Sequence, residues 1–203
     1  MKKNRAVVFL AWGDHYLNEI ANSLHNSKLA EYDKYLLTEH TFADREFAGV
    51  KVIGVDFKSQ GFIRKSEMLD FVPEGYDSYI FLDSDTKVIG DVSFGFEKAE
   101  KYGISLAIEP HYCLDRYFDF GKIMKREGIE NRGQLQYNTG VIFFSINDTV
   151  RKVFSKWKEF STTYFSDFNN DQPYFTMALE ACSFNPYTLS INYNYRGTGE
   201  HIS

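Results

Sequence analysis

Continuous apolar runs alternate along this chain with helical stripes, and that alternation confines it to an α/β architecture. Ala6 to Trp12 is an unbroken apolar run ending at Gly13, and from His15 to about Leu29 the residues Leu17, Ile20, Ala21 and Leu24 recur at helical spacing. Lys34 to Thr38 and Lys51 to Phe57 read as two further strands separated by a polar loop. Ile63 to Val72 predicts a short helix, stopped by Pro73-Glu74-Gly75, and Tyr79 to Leu82 is the next buried strand. Beyond it, Val92 to Lys101 predicts a helix, and Ile104 to Ile108 and Val141 to Ser145 predict strands. Val150 to about Tyr164 carries Val153, Phe154, Trp157 and Phe160 on one helical face, and a last helix runs from about Gln172 to Ala181 before a Tyr/Asn-rich tail. The pattern contains no internal repeat, low-complexity segment or linker. A chain of 203 residues with 43% hydrophobic content buries a sizeable core as a single domain around a mixed, mostly parallel sheet.

The formal net charge of -5 argues against a general nucleic-acid binder, which needs a basic face. The opening apolar run is too short for a signal-peptide core or a membrane span, so the expectation is a soluble, cytoplasmic protein without a spanning segment. Cys113 and Cys182 lack metal-type spacing and read as free thiols of a reducing compartment. Asn147-Asp148-Thr149 matches a glycosylation sequon but reads more simply as a helix start.

Chemistry concentrates in Tyr79-Ile80-Phe81-Leu82-Asp83-Ser84-Asp85-Thr86, where an apolar strand ends in two carboxylates one residue apart. A strand alternates its side chains, so Asp83 and Asp85 point to the same side. Nothing in folding requires two like charges there, and a cation or an array of donors facing them accounts for the pair. Hard cations such as Mn²⁺ or Mg²⁺ take one or two protein carboxylates and fill their remaining positions with phosphate oxygens and water. In open α/β sheets ligands bind beyond the carboxyl ends of the strands, which is where this pair stands.

Two enzyme classes share the local pattern. Asp83-Ser84-Asp85-Thr86 resembles the motif of haloacid-dehalogenase-type phosphotransferases, in which the first Asp, here Asp83, is a nucleophile. That motif belongs to the first strand of the core, whereas here a β-α-β-β-α segment precedes it. The chain is more similar to GT-A-fold glycosyltransferases, which place a nucleotide-binding half of this size before an apolar strand and Asp-x-Asp. Gln136-Tyr137-Asn138-Thr139-Gly140-Val141-Ile142-Phe143-Phe144 resembles the Asn-x-Gly-plus-strand segment of small members, including family 8 transferases. Asn170-Asp171-Gln172-Pro173 resembles their Asp-Gln acceptor-side motif, and Ile191-Asn192-Tyr193-Asn194-Tyr195 the aromatic Asn segment that follows.

The resemblance implies a Rossmann-like GT-A sandwich in which residues 1–90 bind nucleotide and 91–203 bind acceptor. It implies a metal-dependent enzyme, with Mn²⁺ or Mg²⁺ as cofactor and a nucleotide-diphosphate sugar, by default a UDP-sugar, as donor to a hydroxyl of a glycan or other acceptor. Ala11, Trp12 and Gly13 would approach the base and ribose, with Trp12 equally readable as a core indole. Asp56 would accept from a base or ribose hydroxyl or stand in a solvated turn. Arg64 and Lys65 resemble the family's phosphate- or sugar-contacting basic residues, and Arg64 is the choice because its guanidinium chelates phosphate oxygens. Asp83 and Ser84 would meet the donor, Asp83 and Asp85 the metal, and Asn138 the donor sugar. Asp171 and Gln172 would face the transferred sugar or acceptor, while Asp171 also suits a helix N-cap.

His201 is the candidate for the family's third metal ligand, although the family's closing segment is absent. The chain therefore reads either as a minimal enzyme or as one domain of a longer protein. For an inverting reaction Asp171, Glu109, Asp115 and Asp119 are candidate bases; likeness to family 8 points to retention. The stretch from Pro110 to Gln136 has little sheet character and carries His111, Tyr112, Tyr117, Phe118 and Phe120, an expected acceptor surface. A non-catalytic nucleotide-sugar-binding module is the remaining alternative.

Overall fold

A computed structural model of the chain describes residues 3–118, 120–130, 132–167 and 170–195, with 110–112 described as backbone alone. Asp119 and His201 lie outside the described residues. The apolar run near the amino terminus forms β1 (Arg5–Leu10), whose Ala6, Val7, Val8 and Phe9 are wholly buried because β1 lies inside the sheet with helices on both faces. Helix α1 (Gly13–His25) follows, then β2 (Asp33–Glu39), β3 (Val50–Val55) and β4 (Ser78–Leu82). After β4 come α2 (Ser93–Tyr102), β5 (Ile104–Cys113), α3 (Phe120–Arg126), β6 (Leu135–Phe144), α4 (Asp148–Thr163), α5 (Gln172–Ala181) and β7 (Tyr187–Leu189). The described strands build one seven-stranded sheet in the order β3-β2-β1-β4-β6-β5-β7. β1 pairs in parallel with β2 and β4, β2 with β3 and β5 with β7, while β6 runs antiparallel between β4 and β5. The fold is thus α/β around a mixed, mostly parallel sheet.

Alternation along β4 sends its side chains into two cores. Tyr79 and Phe81 face α4 and α5, where Phe154, Trp157 and Phe175 pack edge to face; Ile80 and Leu82 join Leu17 and Ile20 of α1 and Phe96 of α2. Asn147 caps α4 by accepting from the Val150 amide at 2.9 Å, as expected from its sequence. No helix among the described residues is long and apolar enough to cross a membrane.

Three local expectations are corrected. The segment expected as a helix over Ile63–Val72 is a 3-10 helix, Gly61–Asp70. Three residues per turn line up Ile63, Ser66 and Leu69 in one row and Lys65 and Met68 in a second, and both rows are buried. The stretch from Pro110 to Gln136 is bounded by sheet, since β5 runs to Cys113 and β6 begins at Leu135, with Glu109 opposite Gln136 and Cys113 opposite Leu135. Register shifts between Leu106 and Ile108 and between Glu109 and Cys113 hide the alternation that would have revealed these strands. β7 stands inside the Tyr/Asn-rich tail, its three residues too few to show a period.

Candidate active site

The carboxyl end of β4 meets the interior of β6 and the start of α5 around a cavity of about 200 Å³. It is lined by Lys65, Asp83, Glu109, Thr139, Asp171 and Gln172, with Phe62 and Tyr117 at its aromatic side. Asp83 is the first residue past β4, and its amide still donates to the Gly140 carbonyl at 2.8 Å, which fixes its backbone against β6. The strand then ends. The Thr86 amide closes a turn onto the Asp83 carbonyl at 3.0 Å, so alternation stops and the two aspartates enter different environments. Asp83 turns inward and keeps 30% of its side-chain surface, whereas Asp85 is exposed. Strand β4 ends at Leu82, so the alternation expected to align Asp83 with Asp85 does not reach them.

Lys65 is the residue that organises the cavity. Its side chain is only 7% exposed, and its ammonium lies 2.7 Å from Asp83 Oδ1, 3.5 Å from Asp171 Oδ2 and 5.6 Å from the centre of the Phe81 ring. Burial works against the charged ammonium, but Asp171 and Asp83 together outweigh it and hold Lys65 above its ordinary pKa. Burial pushes Asp83 up; Lys65 opposes this, and Asp171 and Asp85 reinforce it as like charges. One lysine thus faces both Asp83 and Asp171 in a cavity that Glu109 also lines.

Asp171 is almost fully buried. Its Oδ2 accepts from the Thr139 hydroxyl at 2.6 Å, and its carbonyl accepts from the Trp157 indole at 2.9 Å. It does not serve as a side-chain cap of α5; Asn170 Oδ1 accepts from the Gln172 amide at 3.1 Å instead, which leaves the Asp171 carboxylate for the cavity. Gln172 reaches Gln136 at 3.4 Å, while the Gln136 amide nitrogen is buried without a hydrogen-bond partner among the described residues. Asn138 is buried too: its Oδ1 accepts from the Gly140 amide at 3.0 Å and its Nδ2 reaches Glu109 at 3.4 Å. Its side chain thereby hydrogen-bonds its own backbone within β6. Gly140 has a steric reason, because a Cβ there would stand 3.0 Å from both Asp83 Oδ2 and Asn194 Nδ2.

The remaining sequence-derived residues lie elsewhere. Ala11 is wholly buried and Gly13 adopts φ +75°, a left-handed turn that starts α1. Trp12 packs on Tyr16 with ring centres 4.7 Å apart, and Phe62 lies 6.0 Å away at the edge of the cavity. Arg64 does not enter the cavity: it pairs with Glu39 at 2.9 Å, donates to the Ser59 carbonyl at 3.2 Å and lies 5.3 Å from both the Trp12 and Phe57 rings. Asp56 is exposed and 3.5 Å from His40. Ser84 is buried and donates to Glu19 of α1 at 2.5 Å. Of the two basic neighbours, the sequence reading preferred Arg64, but Lys65 occupies the cavity. No local signal separates the two, because they are neighbours in the mixed stretch Ile63-Arg64-Lys65-Ser66-Glu67-Met68-Leu69.

Among the described residues no group of three His, Cys, Asp or Glu side chains is arranged to hold a metal ion. Lys65 engages Asp83 through Oδ1, and Asp83 Oδ2 and the exposed Asp85 are two hard oxygen donors, a set that suits a cation completing its shell with water and phosphate.

No protein-family model matches the chain, and no curated protein matches its sequence. Its fold matches solved structures. The glycosyltransferase GlyE of Streptococcus pneumoniae TIGR4 aligns over 96% of this chain and 47% of its own, with TM-score 0.61 and 19% identity. A galactosyltransferase, LgtC, in complex with donor and acceptor sugar analogues, aligns over 86% and 70%, with TM-score 0.62 and 14% identity. Mouse xyloside xylosyltransferase 1 aligns over 93% and 86%, with TM-score 0.60 and 14% identity. The chain spans about half the length of GlyE. These likenesses establish a GT-A-like fold shared with glycosyltransferases.

Proposed function

We propose that this chain is a metal-dependent glycosyltransferase that moves a sugar from a nucleotide-diphosphate sugar, of the UDP class, to a hydroxyl of a glycan or similar acceptor. The observation that carries the reading is the convergence of Asp83, Lys65, Thr139, Asp171 and Gln172 on one cavity beyond β4, in a fold shared with glycosyltransferases. Asp85, Asp83 and His201 would hold a cation of the Mn²⁺ or Mg²⁺ class, which when bound would supply positive charge against the diphosphate.

The chain's own residues divide the remaining work. Trp12 and Gly13 receive the base and ribose at the end of β1, beside the Arg64 guanidinium. Lys65 bridges Asp83 and Asp171 and fixes their separation, so that neither carboxylate moves when the donor arrives. Asp171 and Gln172 orient the transferred sugar and the acceptor hydroxyl, and Phe62 and Tyr117 offer ring faces to a sugar.

A panel of nucleotide sugars with and without Mn²⁺, read by melting temperature and nucleotide release, tests the reading. A metal-dependent shift and release with one donor, both lost on Asp85→Ala, is expected. Absence of any shift with every donor would sink it, and binding without release under any acceptor would favour the non-catalytic module. Phosphate release from an aryl phosphate, lost on Asp83→Asn, would favour the phosphatase.

A further inference from the structure

The segment that carries Asp85 has no secondary structure of its own, yet it lies along α1 in a regular pattern. Ser84 donates to Glu19 Oε2 at 2.5 Å, Ser23 donates to the Thr86 carbonyl, and the Val88 amide donates to Ser27 Oγ at 2.9 Å. The Lys28 amide then closes the register on the Val88 carbonyl at 2.7 Å. Glu19 and Ser23 stand one turn apart on α1 and Ser27 just past its end, so a helical spacing of four meets an extended spacing of two. The Ser23 and Ser84 side chains are buried in this contact, and His15 holds the other oxygen of Glu19 at 3.3 Å.

A serine inside a helix ordinarily returns its hydroxyl to its own backbone. Here Ser23 spends it on a neighbouring chain segment instead. Among the described residues Asp85 makes no hydrogen bond or ion pair, so within them its place is set by its backbone. That backbone is set in turn by α1, which begins at Gly13 beside Trp12.

Resting on the metal-dependent reading above, we propose that Glu19, Ser23 and Ser27 are positioning residues, a polar stripe that holds the Ser84–Val88 segment so that Asp85 presents its carboxylate to the cation. Partners that orient a ligand typically contribute about tenfold or more to metal affinity. The stripe also joins the two ends of the donor site, because the helix that starts at the base end anchors the loop at the diphosphate end.

The test uses the full chain, with Mn²⁺ alone as the probe. Apparent Mn²⁺ affinity is read from the shift in melting temperature across a titration, for wild type, Glu19→Ala and Glu19→Gln, beside amide exchange at Thr86 and Val88 in metal-free protein. Glu19→Ala is expected to weaken Mn²⁺ about tenfold and to accelerate exchange at both amides. Glu19→Gln, which keeps an acceptor for Ser84, is expected to restore most of both. Equal affinity in wild type and Glu19→Ala would overturn the stripe alone, as would a Gln variant as weak as the Ala variant, since charge and not position would then be responsible. A wild type with no Mn²⁺ shift overturns the metal reading and this role with it. Ser27→Ala, a smaller lesion at the far end of the stripe, repeats the exchange measurement if Glu19→Ala fails to fold; unchanged exchange at Val88 there also counts against the stripe.

Discussion

Asp171 and Asp85 belong to one proposed site and are held in opposite ways. Asp171 is buried, its carboxylate fixed by the Thr139 hydroxyl and Lys65 and its carbonyl by the Trp157 indole of the core. Asp85 is exposed on a turn and acquires its position from hydrogen bonds made by its neighbours. The difference follows from electrostatics. A buried carboxylate needs a permanent partner against desolvation, whereas an exposed one keeps its water and, in the proposed role, gives it up only to a cation. Stability and function should therefore separate cleanly between the two.

The largest lesion that would break this comparison is Lys65→Met. It leaves Asp83 and Asp171 without their shared cation, and chemical denaturation should show a loss of about 3–5 kcal/mol, the usual cost of breaking a buried ion pair. Because folding raises the Lys65 pKa, its contribution is complete below the ordinary lysine value and is lost as pH rises through the folded value. Wild type should lose stability in that alkaline window, and Lys65→Met should lose less there.

Thr139→Val removes one donor from Asp171 with little change of shape. A loss of about 1–3 kcal/mol is expected, with weaker sugar transfer; wild-type stability would show that the buried carboxylate does not depend on the hydroxyl. Gly140→Ala places a methyl group 3.0 Å from Asp83 Oδ2 and Asn194 Nδ2, so those groups must give by a few tenths of an ångström. On the order of 1 kcal/mol should be lost, together with a larger fall in donor affinity measured by titration. Asp85→Ala should be the mildest for folding, within about 0.5 kcal/mol of wild type, while metal-dependent turnover disappears. A large stability loss in this variant would erase the contrast with Asp171.

Much of the frame was legible in the amino-acid order. β1 and β4 are unbroken apolar runs, and α1, α4 and α5 carry either a helical period or a capped start, signals that are local and therefore readable. The upper parts of β5 and β6 were hidden because bulges interrupt their alternation, and the Gly61–Asp70 segment because a three-residue repeat buried on two rows resembles a broken α-helix. In the site, Asp83, Asp85, Asp171 and Gln172 could be named from motif order. Strand alternation does not relate the two aspartates, since β4 ends at Leu82 and a turn closed by Thr86 follows.

By itself the sequence determined the alternating α/β order, the strand that delivers Asp83 and the segments that deliver Asn138 and Asp171. Only the tertiary structure decided that Lys65 rather than Arg64 faces those carboxylates, that Asp171 leaves helix capping to Asn170, and that α1 holds the Asp85 segment. Strand and helix periods arise from the backbone and are written locally. The partner of a buried charge lies far away in the chain, here 18 residues from Lys65 to Asp83 and 106 to Asp171, and is settled only when packing brings them together.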